Sequence, residues 1–247
     1  MEQVSVYTRT TFLAAPRCNA QGELSVASIA SDIIDVATEH ANSLGIGYAE
    51  LIPEGIAWVL SRLNIRMLRY PRMHETYCVR TWVESFTRSF SNRNFHIYIP
   101  ESGETLGYVR SVWTAIDINE RKLADLSGFA ERVPLCAGEE CLAEIPARIP
   151  LAEGAGAVSS DYKFRVTDID FNRHVNTVRY VDMIINTHPL EVYDRCYVAG
   201  LELSFRHEAV YGQTGRITVA PGGLCTISDA AEPHTPFVVS RIRLQRR

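Results

Sequence analysis

The sequence predicts an α+β protein built from two homologous halves, each a curved antiparallel sheet wrapped around one helix. Three observations lead to this fold class. A helical stripe of apolar residues stands near the start of the chain, several segments rich in β-branched and aromatic residues follow it, and the same order recurs in the second half. Recurrence of one helix-and-sheet unit indicates that both halves pack the same layers.

The composition is that of an ordinary globular protein. Of the 247 residues, 46% are hydrophobic and 22% are charged, and the net charge of −4 gives no case for a nucleic-acid partner. Six cysteines at irregular spacings, without a CxxC pair, are typical of reduced thiols. No apolar run approaches the about 18–20 residues of a membrane span. Because the opening MEQVSVYTRTTFL has neither signal-peptide nor transit-peptide character, we expect a cytoplasmic protein.

The first half begins with a strand and a long helix. The alternating stretch VSVYTRTTF predicts the strand. In the segment that follows, Ser25 is the expected N-cap and Gly45 the expected stop of a helix. Its apolar stripe consists of Val26, Ile29, Ile33, Val36 and Ala37. Further along, LSRLNIRML, YCVRTWVESF, RNFHIYI and TLGYVRSVWTAIDI predict successive antiparallel strands divided by turn signals.

The second half repeats these elements. SDYKFRV predicts a strand, residues 178–185 a helix with one apolar face, and GLELSFRHEAVYGQTGRITVAP and FVVSRIRLQ further strands. One constant offset places Leu63 over Leu201 and Ile65 over Leu203, and a second offset places NAQGEL over DFNRHV. The stretch between the halves is rich in proline, glycine and alanine. We therefore predict domains at residues 1–130 and 159–247, joined by a linker at 131–158.

Candidate acid–base residues occur only in the second half. These are Asp170, Asn172, His174 and Glu208. The aligned positions of the first half hold Asn19, Gln21, Glu23 and Tyr70. The repeat thus kept its scaffold in both copies, but its candidate chemistry only in the second.

A metal site is one interpretation of the segment TDIDFNRHVN. Counted from Asp168, oxygen-bearing side chains occupy positions one, three and five of a calcium loop. Position six, which needs glycine, is Arg173, and position twelve, which needs glutamate, is Arg179. A transition metal needs three or four ligands, and His174 with Asp170 supplies two. We expect neither a metal nor another cofactor.

Two other interpretations of this segment remain. Aspartate and asparagine cluster at helix starts as turn and cap residues, and Asn176 suits that role. Asp170, Asn172 and His174 alternate, so an extended segment projects their side chains to one side, toward the helix N-terminus. That N-terminus offers amides, here those of Asn176 and Thr177, and the arrangement suits an acid–base group beside an oxyanion site.

These segments resemble those of a known family. DIDFNRHVNTVRYVDMIIN resembles the Asp-x-Asn-x-His-Val-Asn segment of plant and bacterial acyl-ACP thioesterases, and LELSFRHEAVYGQ resembles the strand bearing their catalytic glutamate. IAWVLSRLNIRMLRYPRMHETYCVRTWVESF and GETLGYVRSVWTAIDINERKL are similar to their N-terminal half, so the likeness covers nearly the whole chain. The resemblance implies two tandem hotdog folds, pseudo-dimeric within one chain, the first binding the acyl chain and the second carrying the catalytic residues.

The resemblance also implies hydrolysis of the thioester that joins a fatty acyl chain to the phosphopantetheine arm of acyl carrier protein. In this scheme Glu208 and His174 position and deprotonate water, Asn172 orients the thioester or the water, and Asp170 holds His174 or an amide in place. Asp170 is alternatively the nucleophile, as the corresponding carboxylate is in related hotdog thioesterases. Many plant members have a cysteine directly after the glutamate. Here that residue is Ala209, which excludes a thiol nucleophile at this position.

Two rival functions use the same scaffold. A hydratase or dehydratase of acyl thioesters pairs a histidine with one carboxylate, so a further carboxylate at Glu208 favours hydrolysis. A non-catalytic module that binds acyl thioesters predicts loss of the acid–base set and usually an added DNA-binding segment. The sequence shows neither loss of the acid–base set nor an added DNA-binding segment.

Partner surfaces are less defined by the sequence. Arg62 and Arg66 alternate with apolar residues, and with the RIRLQRR tail they are candidate contacts for the acidic carrier protein. Trp58, Trp82 and Trp113 are expected in the core, with an acyl tunnel as the alternative. Because the chain supplies both halves, we expect a monomer or a homodimer.

Overall fold

The structure is a computed structural model and describes residues 4–247. It divides into two compact units. The first holds the chain up to Leu24 together with Ser31–Pro146, and the second holds Ser25–Ala30 together with Ala147–Arg247. Both units are antiparallel sheets with few helices, which confirms the α+β class.

The sheet of the first unit has five main strands. In chain order they are β1 (Val6–Phe12), β2 (Ile56–Met67), β3 (Thr76–Phe86), β4 (Ser91–Tyr98) and β5 (Thr105–Asp117). Their order across the sheet is β1-β3-β4-β5-β2, all neighbours being antiparallel, and a two-residue strand, β6 (Lys122–Leu123), pairs with β5. The helices with residues in this unit are α1 (Val26–Ser43) and the single-turn α2 (Tyr48–Leu51).

The sheet of the second unit repeats this plan. Its strands are β7 (Val158–Lys163), β8 (Cys196–Phe205), β9 (Thr214–Ala220), β10 (Leu224–Asp229) and β11 (Pro236–Arg246). They lie in the order β7-β9-β10-β11-β8, again antiparallel throughout, and the unit's own helices are α3 (Thr177–Ile185) and α4 (Leu190–Arg195). In both units the first strand lies at one edge and the second at the other. The internal repeat is therefore confirmed at the level of topology.

Helix α1 begins and ends where the sequence predicts. Ser25 Oγ accepts a hydrogen bond from the Ser28 amide at 3.1 Å, which satisfies one of the amides left without a partner in the first turn. At the other end Gly45 has φ +70°, and the Ile46 amide donates to the Ala41 carbonyl at 3.0 Å. Glycine takes this conformation without a Cβ clash, which is why it ends helices. All five residues of the predicted stripe are buried.

Polar side chains of β2 hold the segment that follows the first sheet. Three alternate residues donate to three alternate main-chain carbonyls. The pairs are Arg62 Nη1 with Pro146 at 3.3 Å, Asn64 Nδ2 with Glu144 at 2.8 Å and Arg66 Nη1 with Leu142 at 2.6 Å. This ladder explains the alternation of Arg62 and Arg66 without a partner protein, and their docking role remains a prediction.

The three tryptophans differ in burial. Trp82 is fully buried and packs against Cys141 and Ala143 of the same unit, which confirms its core position. Trp58 and Trp113 are only partly buried. Within residues 4–247, no helix is long and apolar enough to cross a membrane.

Strand β10 and the short helices α2 and α4 were not predicted. In β10 the residues Cys225, Thr226, Ile227 and Ser228 alternate between apolar and polar, yet all four are buried, so this short strand does not have one buried and one exposed face. Thr226 Oγ1 is satisfied by the Ala152 amide at 2.8 Å.

Candidate active site

The loop before α3 is a tight turn organised by Asp170. Its Oδ1 accepts the amides of Asn172 at 2.8 Å and His174 at 3.2 Å, and its own amide donates to the His174 carbonyl at 2.8 Å. Arg173 closes the turn with φ +70°. Short side chains with a carbonyl oxygen commonly organise turns through their own backbone in this way. The structure therefore assigns Asp170 a shaping role beside any chemical one.

A backbone pairing brings this loop to the segment after β8. The Val175 amide donates to the Ala209 carbonyl at 2.8 Å, and His174 forms an isolated bridge with Val210. As a result His174 Nε2 lies 3.4 Å from Glu208 Oε2, with the two side chains 33% and 46% exposed. An imidazole and a carboxylate at this separation, both reachable from solvent, form a candidate acid–base pair.

Glu208 does not lie on a strand, contrary to the prediction. Strand β8 ends at Phe205. The amides of Arg206 and His207 both point to the Phe237 carbonyl, at 2.8 and 3.5 Å, and two successive amides on one acceptor end the regular ladder. The chain then leaves the sheet. This departure allows Glu208 to face the loop before α3.

The start of α3 is capped by Asn176, as the cap interpretation predicts. Asn176 Oδ1 accepts the Val178 amide at 2.8 Å, and the Asn176 amide donates to the Asp168 carbonyl at 2.8 Å. Asp168 is itself buried and accepts hydrogen bonds from Tyr162 and from the Arg165 amide. Of the two amides proposed for an oxyanion, that of Asn176 is thus already engaged.

The remaining predicted groups lie in the same loop without direct bonds to the pair. Thr177 is the first residue of α3, and its amide has no acceptor within the described chain. Asn172 is exposed, and its carboxamide likewise makes no hydrogen bond to any of residues 4–247. The structure therefore joins His174 to Glu208 directly and to Asp170 through the backbone, and leaves Asn172 and Thr177 available to a ligand.

The first unit contains the same turn without the acid–base pair. Asn19 Oδ1 accepts the amides of Gln21 and Glu23, each at 3.0 Å, and the Asn19 amide donates to the Glu23 carbonyl at 2.7 Å. Gly22, with φ +72°, stands where the second unit has Arg173.

The long-range pairing is repeated as well. The Leu24 amide donates to the Pro71 carbonyl at 2.9 Å, and Glu23 forms an isolated bridge with Arg72. At the positions that correspond to His174 and Glu208, the first unit has Glu23 and Tyr70. Because the loop forms equally well with Asn19, the turn belongs to the fold, and the pair His174–Glu208 is what distinguishes the second copy.

Thiol chemistry has no support at this site. Ala209, directly after Glu208, is buried, and its carbonyl holds Val175. In the same unit, burial raises the pKa of the Cys225 thiol to about 12, so this group stays protonated and is a poor nucleophile.

Gln213 is a supporting residue that the sequence did not reveal. Its Oε1 accepts the Val210 amide at 3.1 Å, and its Nε2 donates to Asp229. The bond to Val210 holds the strand-like turn beside Glu208. A single side-chain contact to a backbone amide leaves no spacing or periodicity in the sequence, so no signal could have identified it.

Family models match both units. Residues 5–128 match the acyl-ACP thioesterase N-terminal domain, and residues 153–233 match the acyl-ACP thioesterase C-terminal domain. The chain belongs to the acyl-ACP thioesterase family. The resemblance stated from the sequence is thereby confirmed, and with it the tandem hotdog folds.

Solved acyl-ACP thioesterases share this architecture. One from Bacteroides thetaiotaomicron is 27% identical, with a TM-score of 0.89 and 98% of each chain covered. The 12:0-ACP thioesterase of Umbellularia californica is 18% identical, with a TM-score of 0.85 and 100% of each chain covered, a likeness that shows the fold.

A plant relative extends the comparison to a longer acyl-ACP thioesterase. The chloroplastic palmitoyl-acyl carrier protein thioesterase of Gossypium hirsutum is 24% identical over 237 residues, which are 91% of this chain and 56% of the cotton protein. The chain thus spans about half the length of such plant relatives.

Proposed function

We propose that this chain hydrolyses fatty acyl-ACP to a free fatty acid and acyl carrier protein. The observation that carries the proposal is the His174–Glu208 contact at 3.4 Å, held by a backbone bridge in the second unit and replaced by Glu23 and Tyr70 in the first. Family membership supports the substrate class, since the similar proteins are named as thioesterases of acyl carrier protein.

In the proposed reaction water attacks the thioester carbonyl carbon. Glu208 and His174 together accept the proton of the water as the new C–O bond forms, and the carbonyl π electrons move to oxygen. The tetrahedral intermediate then collapses, the C–S bond breaks, and the proton passes from His174 to the departing sulfur. The 3.4 Å separation exceeds the about 2.6–3.2 Å of a productive hydrogen bond, and such pairs commonly tighten when substrate binds.

The oxyanion is proposed to bind at the start of α3. Of the two amides considered, Thr177 is the stronger candidate, because the Asn176 amide already donates to Asp168. A helix N-terminus stabilises negative charge through its unpaired amides and dipole. The exposed Asn172 carboxamide is free to orient the thioester or the attacking water.

For Asp170 we propose the orienting role rather than nucleophilic attack. Its Oδ1 holds two amides, one of them that of His174 itself, so the carboxylate fixes the histidine backbone. Hydrogen bonds of this kind withdraw charge from the oxygen and weaken it as a nucleophile.

The proposed partner is acyl carrier protein bearing a fatty acyl-phosphopantetheine, and the proposed location is the cytoplasm, supported by the irregular cysteine spacing. We also propose that the acyl chain binds in the domain predicted at residues 1–130 and that the chemistry belongs to residues 159–247.

The test is release of free fatty acid from a panel of acyl-ACPs that differ in chain length. Wild type and Glu208→Ala are assayed in parallel, with Glu191→Ala on the exposed face of α4 as the control. We expect release by wild type and the control and its collapse in Glu208→Ala. Failure of wild type to hydrolyse any acyl-ACP would overturn the proposal in favour of a hydratase. Full activity in Glu208→Ala would move the chemistry to Asp170.

A further inference from the structure

Arg93 is a buried cation without an acidic partner among residues 4–247. It lies on β4 and is 5% exposed. Its Nη1 approaches His40 Nδ1 at 2.8 Å and Thr81 Oγ1 at 3.4 Å, whereas its Nε and Nη2 have no hydrogen-bond partner within residues 4–247. Burial lowers the pKa of Arg93 to about 10. An unpaired buried charge is costly, so the absence of a carboxylate among the described residues needs an explanation.

The neighbouring histidine does not supply negative charge. His40 Nε2 lies 2.9 Å from the Val4 carbonyl, which can only accept, so this nitrogen donates and Nδ1 accepts from Arg93. Burial, and then the Arg93 guanidinium, lower the pKa of His40 to about 4. The imidazole is therefore neutral, so it orients Arg93 but supplies no negative charge to it.

A pocket of about 50 Å³ in the first unit leads to this guanidinium. Besides Arg93 it is lined chiefly by Thr38, Ala41, Ile46, Trp58 and Trp113. Thr38 is exposed and the indoles are partly so, whereas Arg93 is buried, so the pocket runs inward from solvent. Since a single water needs about 10–15 Å³, the space suits a carboxylate with one or two carbon atoms.

The pocket walls offer apolar surface around a single charge. Trp58 Nε1 donates to the Ile46 carbonyl and Trp113 Nε1 to Ser111 Oγ, both at 2.8 Å. Both indole donors are thus engaged, the rings are held in place, and mainly carbon faces the pocket. Two unused nitrogens of one guanidinium match the two oxygens of a carboxylate.

We propose that this pocket binds the carboxylate of an aliphatic acid, with the oxygens on Arg93 Nε and Nη2 and the alkyl group between Trp58 and Trp113. The proposal uses none of the residues of the His174–Glu208 pair and does not depend on the proposed hydrolysis. A small acid and a released fatty acid share this chemistry, and they differ in how affinity depends on chain length.

The test is a titration of intrinsic tryptophan fluorescence with acetate, propionate, butyrate, octanoate and dodecanoate, matched by the corresponding neutral amides. We expect saturable binding of the acids, at least tenfold tighter than that of the amides, and undiminished binding in Glu208→Gln. Affinity that levels off by butyrate identifies a small acid as the ligand, and affinity that rises through dodecanoate identifies a fatty acid. Equal binding of acids and amides, or no saturation by any acid, would overturn the proposal.

Two variants locate the ligand. Arg93→Met should weaken acid binding at least tenfold, whereas Arg110→Met, which removes a guanidinium paired with Glu84 on the adjacent β5, should leave it unchanged. Thr38→Phe on the exposed side of α1 should block the pocket and abolish acid binding without removing the buried cation. This variant tests whether the acid binds in the pocket even if Arg93→Met does not fold. Unchanged binding in Thr38→Phe would refute the assignment.

Discussion

His174 Nε2 faces Glu208 Oε2 at 3.4 Å because the backbones of the two segments pair directly, through His174 with Val210 and through Val175 with Ala209. The side chains are therefore positioned by main-chain bonds that need neither of them. Either one can be replaced without loss of the scaffold, which makes the pair open to clean mutational tests.

His174 and Glu208 should act as a unit. We expect His174→Gln and Glu208→Gln each to lower kcat by about 10²–10⁴, the usual contribution of a positioned acid or base. Because each is needed to complete the same proton transfer, the double variant should lose little more than the worse single one. The measurement is kcat on the best acyl-ACP, with thermal unfolding to verify folding. Multiplicative losses would show that the two side chains work independently.

Asp170→Asn should preserve the loop, since Asn19 makes the same turn in the first unit. If Asp170 orients His174, we expect kcat to fall less than tenfold in Asp170→Asn and much further in Asp170→Ala, which loses both acceptor bonds. The comparison is made on acyl-ACP hydrolysis with both variants shown to be folded. Activity abolished equally in Asn and Ala variants would instead favour attack by the carboxylate.

The left-handed position of the turn should carry a small and measurable strain. Gly22→Ala places a Cβ at φ +72° where nothing else lies within 4 Å. Any loss of stability therefore comes from the cost of the left-handed backbone conformation and not from a steric clash. We expect Gly22→Ala to lower the free energy of unfolding by about 1 kcal/mol. Urea denaturation measures this, with Gly138→Ala, at an ordinary φ and in open space, as the control. Equal stability of the two variants would contradict the prediction. Arg173→Gly is the reciprocal change and should stabilise.

His40 should make stability depend on pH. The unfolded chain protonates this imidazole as the pH falls through its ordinary pKa of 6.5, whereas burial and Arg93 hold the folded pKa at about 4. The free energy of unfolding should therefore fall between pH 6.5 and pH 4, with a contribution from His40 of about 3 kcal/mol at the lower end.

Urea denaturation across this pH range measures that dependence. His40→Gln should flatten it, because an amide does not take up a proton in either state. His234→Gln, at an exposed position, is the matched control and should leave the slope unchanged. A wild-type slope retained in His40→Gln would assign the effect to other groups.

Local signals predicted much of the fold. Ser25 and Gly45 mark the ends of α1 through bonds made within a few residues, so the sequence around them is sufficient. Strand β10 was not predicted: it is six residues long, and the Thr226 hydroxyl is buried against the Ala152 amide, a contact between distant segments that the local sequence does not show. The attachment of residues 142–146 to β2 likewise depends on contacts between segments far apart in sequence.

The site, too, was predicted only in part, because the local sequence does not show contacts between distant segments. Its residue types and the asymmetry between the halves are visible in the sequence, because the repeat aligns His174 with Glu23. The approach of Glu208 to His174 rests on the Val175–Ala209 backbone bond, which any pair of residues can make. Proximity was therefore expected only from the family resemblance. Arg93 gave no signal at all, since one arginine in a strand does not show whether it is buried.

The repeated turn has a consequence for recognising active copies among related genes. The requirement at positions 19 and 170 is a short side chain with a carbonyl oxygen, and it is met in a half that lacks the acid–base pair. A gene copy that lost only His174 and Glu208 would keep the rest of the Asp-x-Asn-x-His-Val-Asn pattern and fold normally. If the proposed mechanism is correct, scoring relatives on that pair, rather than on the whole motif, would separate hydrolases from inactive paralogues.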